Sequence, residues 1–302
     1  MGMLDGKVAV ITGSGRGLGK SHAITMAKEG AKIVVNDLGV EWDGTGEKVA
    51  APADEVVDEI KAAGGEAVAS YESVTDFDAA KRIIDCAVDT FGKLDIFVNN
   101  AGFLKDKITF KMSPEEWDAV VKVHLYGTFN CGRWAISYFR DQNKAGSPVK
   151  GRIVNTVSHA GLFGNAGQAN YSAAKGGIAS LTMVWARELE RIGGTCNAIA
   201  PMARTRMTMS TESTAAMFAK PEEEDKFDSM AKENISPLVA YLGTDQAQDI
   251  TGHIFSIRGG RLELFNPWQI ANTIDIEKQW TVADLDGKIR DLGDLGMPPI
   301  IF

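Results

Sequence analysis

Short apolar runs alternate with longer amphipathic segments along most of this 302-residue chain. Each run is almost continuously apolar, and the stretch that follows it has the spacing of a helix. Strands that are apolar throughout belong in a parallel sheet that helices cover on both faces. The pattern therefore predicts an α/β fold of the doubly wound kind, with a seven-stranded parallel sheet. The predicted strands span residues 7–12, 31–37, 66–71, 94–100, 151–158, 195–201 and 252–257.

Two segments interrupt this alternation. Residues 38–51 form a glycine-containing insert after the second strand, and residues 261–302 form a tail with Trp268, Trp280 and a terminal Pro-Pro-Ile-Ile-Phe run. Large apolar side chains in such number are costly to leave in water. We therefore expect one large domain over residues 1–260 and a C-terminal extension over 261–302. The extension is expected to pack on this domain or on a neighbouring subunit.

Charge and composition argue against several classes of protein. The net charge is −8 and the pI is near 5.2, whereas a nucleic-acid partner requires a basic surface. No stretch approaches the roughly 20 apolar residues of a membrane span, and the start of the chain lacks the regions of a signal peptide. Cys86, Cys131 and Cys196 are widely spaced, as in proteins that keep reduced thiols. These features predict a cytoplasmic protein.

The first predicted strand runs into a glycine-rich turn with the sequence TGSGRGLG. Glycines allow backbone amides to approach a pyrophosphate, and the N-terminus of the following helix adds partial positive charge. Because the turn lies between a buried strand and a helix, it predicts a dinucleotide site of the Rossmann type. The contacts expected from this turn come from Gly13, Ser14, Arg16, Gly17 and Leu18.

Asp37, at the end of the second strand, bears on which dinucleotide binds. A carboxylate there can accept hydrogen bonds from ribose hydroxyls and repel a 2′-phosphate. Arg16 favours the opposite outcome, because a guanidinium beside the turn could bind that phosphate, or else the pyrophosphate. Since the strand holds Asp37 in place whereas Arg16 is flexible, we expect NAD in preference to NADP.

The candidate catalytic pair is Tyr171 and Lys175 in the run YSAAK, with Ser158 thirteen residues earlier. Residues four apart in a helix share a face. A free phenol titrates near pH ~10, so a cation one turn away is needed to stabilise the phenolate for proton transfer at neutral pH. The same spacing occurs in helices by chance, and the catalytic interpretation therefore depends on the other motifs.

Taken together, the motifs resemble the short-chain dehydrogenase/reductase family over about residues 5–260. The resemblance implies an oxidoreductase that requires no metal. It implies that Tyr171 exchanges a proton with the substrate oxygen, that Ser158 binds this oxygen, and that Lys175 holds the nicotinamide ribose. It also implies a homodimer or homotetramer. The further cofactor contacts that it implies are Ser73, Val74, Asn99, Ala101 and Gly102.

Three longer runs, NDLG, KVHLYGTF and GNAGQANYSAAK, resemble a subgroup of the family. This subgroup comprises the (3R)-3-hydroxyacyl-CoA dehydrogenase unit of peroxisomal multifunctional enzyme type 2 and related stand-alone bacterial dehydrogenases. In the second run, His124 stands where most of the family has an asparagine that organises a water of the proton relay. An imidazole there can bridge a water or carry a proton. It can equally be a buried helical histidine with a backbone partner.

The segment from Met202 to about Pro237 corresponds to the substrate loop of the family. Methionines suit an adaptable apolar wall for an acyl chain or a steroid, although core packing explains them nearly as well. The methionines are Met202, Met207, Met209, Met217 and Met230, and the basic residues available for coenzyme A phosphates are Arg204, Arg206 and Lys220.

The preferred reaction is the interconversion of 3-hydroxyacyl-CoA and 3-oxoacyl-CoA with NAD. Two other enzymes fit the same motifs, a hydroxysteroid dehydrogenase and an NADPH-dependent 3-oxoacyl reductase. A non-catalytic nucleotide-binding regulator is the alternative from another class. An intact set of Ser158, Tyr171 and Lys175 argues against a regulator of that kind.

Overall fold

The computed structural model describes residues 2–40, 46, 50–206, 208–209, 216, 218–221, 223, 226–266 and 268–296. Its strands are β1 (Val8–Thr12), β2 (Lys32–Asn36), β3 (Ala67–Ser70), β4 (Ile96–Asn99), β5 (Arg152–Thr156), β6 (Thr195–Pro201), β7 (Ile254–Arg258) and β8 (Arg261–Phe265). Within the described residues these strands form one eight-stranded sheet in the order β3-β2-β1-β4-β5-β6-β7-β8. All neighbouring pairs from β3 to β7 are parallel.

Helices follow most of the strands, as the apolar pattern predicts. The capping box at Ser113 begins one of them, since its Oγ accepts from the Glu116 amide at 3.2 Å and its own amide donates to Glu116 Oε2 at 2.9 Å. The helices are α1 (Gly17–Lys28), α2 (Ala51–Ala62), α3 (Phe77–Phe91), α4 (Pro114–Val121), α5 (Gly127–Lys144), α6 (His159–Phe163), α7 (Ala169–Glu190), α8 (Ser236–Leu242) and α9 (Val282–Lys288).

An apolar core lies on each face of the sheet. In β1, Ala9 and Ile11 pack in the core that α1, α2 and α8 cover, whereas Val8 and Val10 pack in the core that α3, α5 and α7 cover. Burial of a side chain of this size contributes about 1.5–3 kcal/mol. Because both faces of the strand are buried, its register is fixed from both sides. The α/β prediction with helices on two faces is confirmed.

The sheet has an eighth strand, β8, that the sequence pattern did not predict. Strand β8 is antiparallel to β7, and the pair Arg258–Arg261 closes on the two-residue turn Gly259–Gly260. Two glycines between extended runs are typical of a tight hairpin. The prediction was wrong here because β8 exposes Leu262 and Leu264, so it lacks the continuous burial by which the other strands were found.

The chain divides by its internal contacts into two compact units, with the boundary between Phe265 and Asn266. In the second, helix α9 begins with a capping box between Thr281 and Asp284. The terminal run at 298–302 and parts of the predicted insert, residues 41–45 and 47–49, lie outside the described residues. None of the helices in the described part is both long and apolar enough to cross a membrane.

Between α1 and α8, His22 is completely buried. Its Nδ1 lies 2.9 Å from Ser236 Oγ, which lies 2.7 Å from Ser21 Oγ. Burial lowers the pKa of His22 to about 3. The unfolded chain protonates a histidine near pH ~6.5, so it binds more protons than the folded chain below that pH. Acidification therefore favours unfolding through this residue.

Replacement of His22 should reduce the acid sensitivity of the fold. From pH 7 to pH 5 the wild-type free energy of unfolding should fall by about 2 kcal/mol more than that of His22→Gln, because glutamine takes up no proton. Urea unfolding at the two pH values measures the difference. His253 is exposed, and His253→Gln should keep the wild-type pH dependence. An identical pH dependence in wild type and His22→Gln would contradict this assignment.

Candidate active site

A cavity of about 610 Å³ lies at the carboxyl ends of the parallel strands. Ligands of doubly wound sheets bind at this edge, beside the point where the strand order reverses. In this sheet the reversal falls between β1 and β4. The loops after six successive strands each supply part of the lining, namely Gly13, Asp37, Ser73, Asn100, Ser158 and Met202.

The glycine turn at one end of the cavity admits no larger residue at Gly13. This residue has φ +62°, and a Cβ on it would lie 2.8 Å from Ala101 Cα. Asp37 is fixed beside the turn, since Oδ2 accepts from the Gly15 amide and Oδ1 from the Gly39 amide, each at 2.8 Å. A glycine turn that exposes backbone amides, next to a carboxylate fixed by hydrogen bonds, fits a dinucleotide whose ribose hydroxyls donate to Asp37.

Most of the predicted site residues line this cavity, but two do not. Ser14 is buried behind the turn, where its Oγ donates to the Ile11 carbonyl at 2.7 Å. Asn99 lies inside the sheet, where its Nδ2 donates to Asn155 Oδ1 at 2.9 Å. The predicted residues that line the cavity are Gly13, Arg16, Gly17, Leu18, Asp37, Ser73, Val74, Ala101, Gly102, His124, Ser158, Tyr171 and Lys175.

Asn100 lines the cavity although the sequence analysis did not select it. Its Nδ2 donates to the carbonyls of Thr12 at 2.9 Å and Gly13 at 3.1 Å, which ties the end of β4 to the glycine turn. The alternation of side chains along a strand could have identified it, because consecutive residues face opposite sides. Asn99 and Asn100 therefore cannot share one role.

Helix α7 places Tyr171 and Lys175 together, and the loop after β5 brings Ser158 to them. The Lys175 Nζ lies 5.6 Å from the centre of the Tyr171 ring and donates to the Thr156 carbonyl at 2.5 Å. The Ser158 hydroxyl accepts from the Ala160 amide at 3.2 Å and lines the same cavity as Tyr171. The three predicted catalytic residues thus meet on one wall of the cavity.

Burial dominates the protonation of this pair. It raises the pKa of Tyr171 to about 12, against the hydrogen bond from Ser158 that lowers it. Burial also lowers the pKa of Lys175 to about 7. In this pair, the stabilisation of the phenolate expected from Lys175 is smaller than the effect of burial. Removing both groups from water disfavours their charged forms more than their proximity favours them.

His124 lies in a π-helical turn, Lys122–Tyr126, between α4 and α5. Its Nε2 is 2.8 Å from the Phe103 carbonyl oxygen, and its ring stands edge-on to Tyr171 with centres 5.1 Å apart. Among the described residues, its buried Nδ1 has no hydrogen-bond partner. Burial, aided by the charge of Lys175, lowers the pKa of His124 to about 3. The imidazole is therefore neutral, with one nitrogen committed to the backbone.

The loop after β6 supplies part of the other wall. Met202, Arg206 and Phe218 line the cavity, whereas Met207 and Met217 lie outside the described residues. Arg204, one of the cations expected for coenzyme A phosphates, instead pairs with Asp228 and donates to the Phe218 carbonyl at 2.9 Å. Of the three proposed cations, Arg206 is the one that the structure places at the cavity.

Comparison with known proteins matches this geometry. A family model described as short chain dehydrogenase matches residues 7–216. A hydroxyacyl-CoA dehydrogenase of Mycobacterium tuberculosis is 40% identical over 296 residues, covering 95% of this chain and 89% of that protein. The crystal structure of a short chain dehydrogenase from Mycobacterium avium is 46% identical with a TM-score of 0.86, covering 99% of this chain and 98% of the other.

The subgroup that the sequence resembles is also found. Peroxisomal multifunctional enzyme type 2 of Drosophila melanogaster is 42% identical over 260 residues, which are 86% of this chain. This chain spans 40% of that longer protein. The family and subgroup resemblance drawn from the motifs is confirmed.

The His124 ring occupies space that is open because residue 102 is a glycine. A Cβ on residue 102 would lie 2.1 Å from His124 Cε1, so Gly102→Ala should lower the free energy of unfolding by about 1–3 kcal/mol through overpacking. Combining it with His124→Ala, which removes the ring, should cost less than the sum of the two single changes. Urea unfolding of the four proteins measures the coupling.

Gly260→Ala is the matched control, because a Cβ there meets no atom within 4 Å. It should change stability by less than about 0.5 kcal/mol. Strictly additive effects of Gly102→Ala and His124→Ala would show that the two side chains do not compete for this space.

Proposed function

This chain belongs to the short-chain dehydrogenase/reductase family, and from that premise we propose that it is an NAD-dependent 3-hydroxyacyl-CoA dehydrogenase. The family is one of oxidoreductases that act on CH–OH groups. The observation that carries the proposal is the meeting of Ser158, Tyr171 and Lys175 in a cavity that also contains the glycine turn and Asp37. One cavity thus combines a proton-transfer group with a dinucleotide cradle.

The substrate class rests on the relatives and on the character of the wall. Proteins named hydroxyacyl-CoA dehydrogenase and peroxisomal multifunctional enzyme type 2 align with most of this chain. Met202, Phe103 and Phe218 give the cavity an apolar wall, which suits an acyl chain. The homodimer or homotetramer, the cytoplasmic location and the packing of the C-terminal extension stay predictions.

We assign the cofactor contacts to the cradle already described. The turn at Gly13 and Gly17 faces the pyrophosphate, Asp37 accepts from the adenosine ribose, and Lys175 holds the second ribose. Bound there, NAD supplies the hydride acceptor and, in its oxidised form, a positive charge. The charge of Asp37 supports NAD, because a 2′-phosphate beside it would be repelled.

Proton transfer falls to Tyr171. In the oxidation direction its phenolate accepts the proton of the substrate hydroxyl, while Ser158 donates a hydrogen bond to the same oxygen. Protonated Lys175, 5.6 Å from the ring centre, favours the phenolate against the effect of burial. His124 stands beside Tyr171 with a buried Nδ1 that has no hydrogen-bond partner among the described residues, and we assign it to the route by which the proton leaves.

The loss of the phenol should abolish most of the activity. We expect wild type to reduce NAD with a 3-hydroxyacyl-CoA, and Tyr171→Phe to lower kcat by about 10²–10⁴-fold because the general base is gone. The Kd for NAD, measured by titration, should stay within about threefold of wild type, since the change removes one oxygen and leaves the cradle.

Tyr241→Phe is the control, because Tyr241 is exposed on α8, away from the cavity lining. A panel of acyl-CoA and steroid alcohols with both cofactors tests the substrate class. Turnover of a steroid without turnover of any acyl-CoA would overturn the proposal. Unchanged kinetics in Tyr171→Phe would instead support a nucleotide-binding protein that lacks this chemistry.

Cofactor preference should follow the charge of Asp37. The change Asp37→Asn keeps the size of the side chain and one carbonyl acceptor but removes the negative charge. We expect the ratio of kcat/KM for NAD to that for NADP to fall by about tenfold or more. Asp58→Asn, on the exposed face of α2, makes the same change in net charge and should leave the ratio unaltered. An unchanged ratio in Asp37→Asn would assign the preference to other residues.

A further inference from the structure

The carboxylate of Asp106 lines the cavity together with Ser158 and Tyr171. It lies in the loop between β4 and α4, and none of the steps above uses it. Gln168 Nε2 donates to Asp106 Oδ2 at 2.8 Å, and Asn165 Nδ2 donates to Gln168 Oε1 at 3.0 Å. Gln168 and Asn165 also line the cavity. Asp106 is exposed, and these hydrogen bonds make it part of a group of polar side chains at the cavity.

The loop that carries Asp106 is tied on both sides to the start of α7. The Lys107 amide donates to the Gly167 carbonyl at 2.7 Å, and Asn170 Nδ2 donates to the Lys105 carbonyl at 3.1 Å. Asn170 is completely buried, and its Oδ1 accepts from the Tyr171 amide at 2.7 Å. The Asn170 side chain thus contacts both the backbone of Tyr171 and the loop next to Asp106. These contacts fix the position of Asp106 relative to Tyr171.

Asp106 carries its negative charge in the same cavity as Ser158 and Tyr171. Lys107, its neighbour in sequence, is paired with Glu116 at 3.1 Å, so its ammonium group is already engaged elsewhere. Asp106 is one of the groups that raise the pKa of Tyr171, after burial as the largest cause. A negative charge that interacts electrostatically with the Tyr171 phenol also interacts with the charges of a substrate whose hydroxyl is hydrogen-bonded to that phenol.

We propose that Asp106 is a specificity-determining residue that selects neutral thioester substrates over the corresponding free 3-hydroxy acids. The proposal rests on the proposed function, in which the substrate is a 3-hydroxyacyl thioester. A free 3-hydroxy acid carries its carboxylate two carbons from the reacting carbon, and Asp106 repels it. A thioester carries a neutral carbonyl at that position and, further along, an amide N–H that a carboxylate can accept. Specificity of this kind comes from penalising the wrong substrate as well as from binding the right one.

The test compares two probes that share the reacting carbon. One is (R)-3-hydroxybutyrate, and the other is its N-acetylcysteamine thioester, which is uncharged and has one amide N–H. The Kd of each for the NAD-loaded protein and kcat/KM with NAD are measured for wild type, Asp106→Asn and Asp106→Glu. We expect the preference for the thioester to fall about tenfold in Asp106→Asn, mainly through a lower Kd and KM for the free acid. Asp106→Glu, which keeps the charge, should keep the preference.

Asp118→Asn is the matched control, because Asp118 is exposed on α4 and outside the cavity lining. It makes the same change in net charge and should leave the preference at the wild-type value. Equal losses with both probes in Asp106→Asn would show a purely structural role and overturn the inference, as would an unchanged preference or a wild type that binds neither probe. Discrimination in Kd by a wild type that oxidises neither probe would support the inference while it refutes the proposed function.

Discussion

The whole site depends on the burial of a parallel sheet from both faces. Val10 and Ile11 in β1 belong to opposite cores, so a shift of one residue would expose each to the wrong layer. Parallel strands of fixed register end at one common edge. Six loops that line the cavity start from this edge, which is why residues as distant in sequence as Gly13 and Met202 line one space. The positions of the chemical groups are thus set by apolar residues that never touch a ligand.

The same burial makes the catalytic groups difficult to charge. Lys175 and His124 are buried, and Tyr171 is partly exposed to the cavity. Burial is the largest cause of all three pKa shifts. For the phenol, Ser158 opposes this effect. Burial therefore disfavours the charged forms of these groups, and positive charge brought into the cavity would favour the phenolate of Tyr171.

The sequence predicts the parts of the structure that repeat or that need a particular residue type. Seven strands, the helix start at Ser113 and the meeting of Ser158 with Tyr171 all follow from local patterns. The features that the sequence analysis did not predict depend on three-dimensional geometry, which the pattern of residue types does not contain. Strand β8 has exposed leucines. Asn99 and Asn100 are consecutive and therefore point to opposite sides, so one lies inside the sheet and the other lines the cavity. The pKa of Tyr171 reflects how deeply it is buried, which spacing alone does not reveal.

His124 shows how a local irregularity can adapt a family scaffold. Helix α4 is joined to α5 by the π-turn Lys122–Tyr126, which contains His124, and single π-turns of this kind within helices are frequent at functional sites. The imidazole then occupies space that any side chain at residue 102 would fill. The position of the imidazole therefore depends on two local features, the π-turn that contains residue 124 and the absence of a side chain at residue 102.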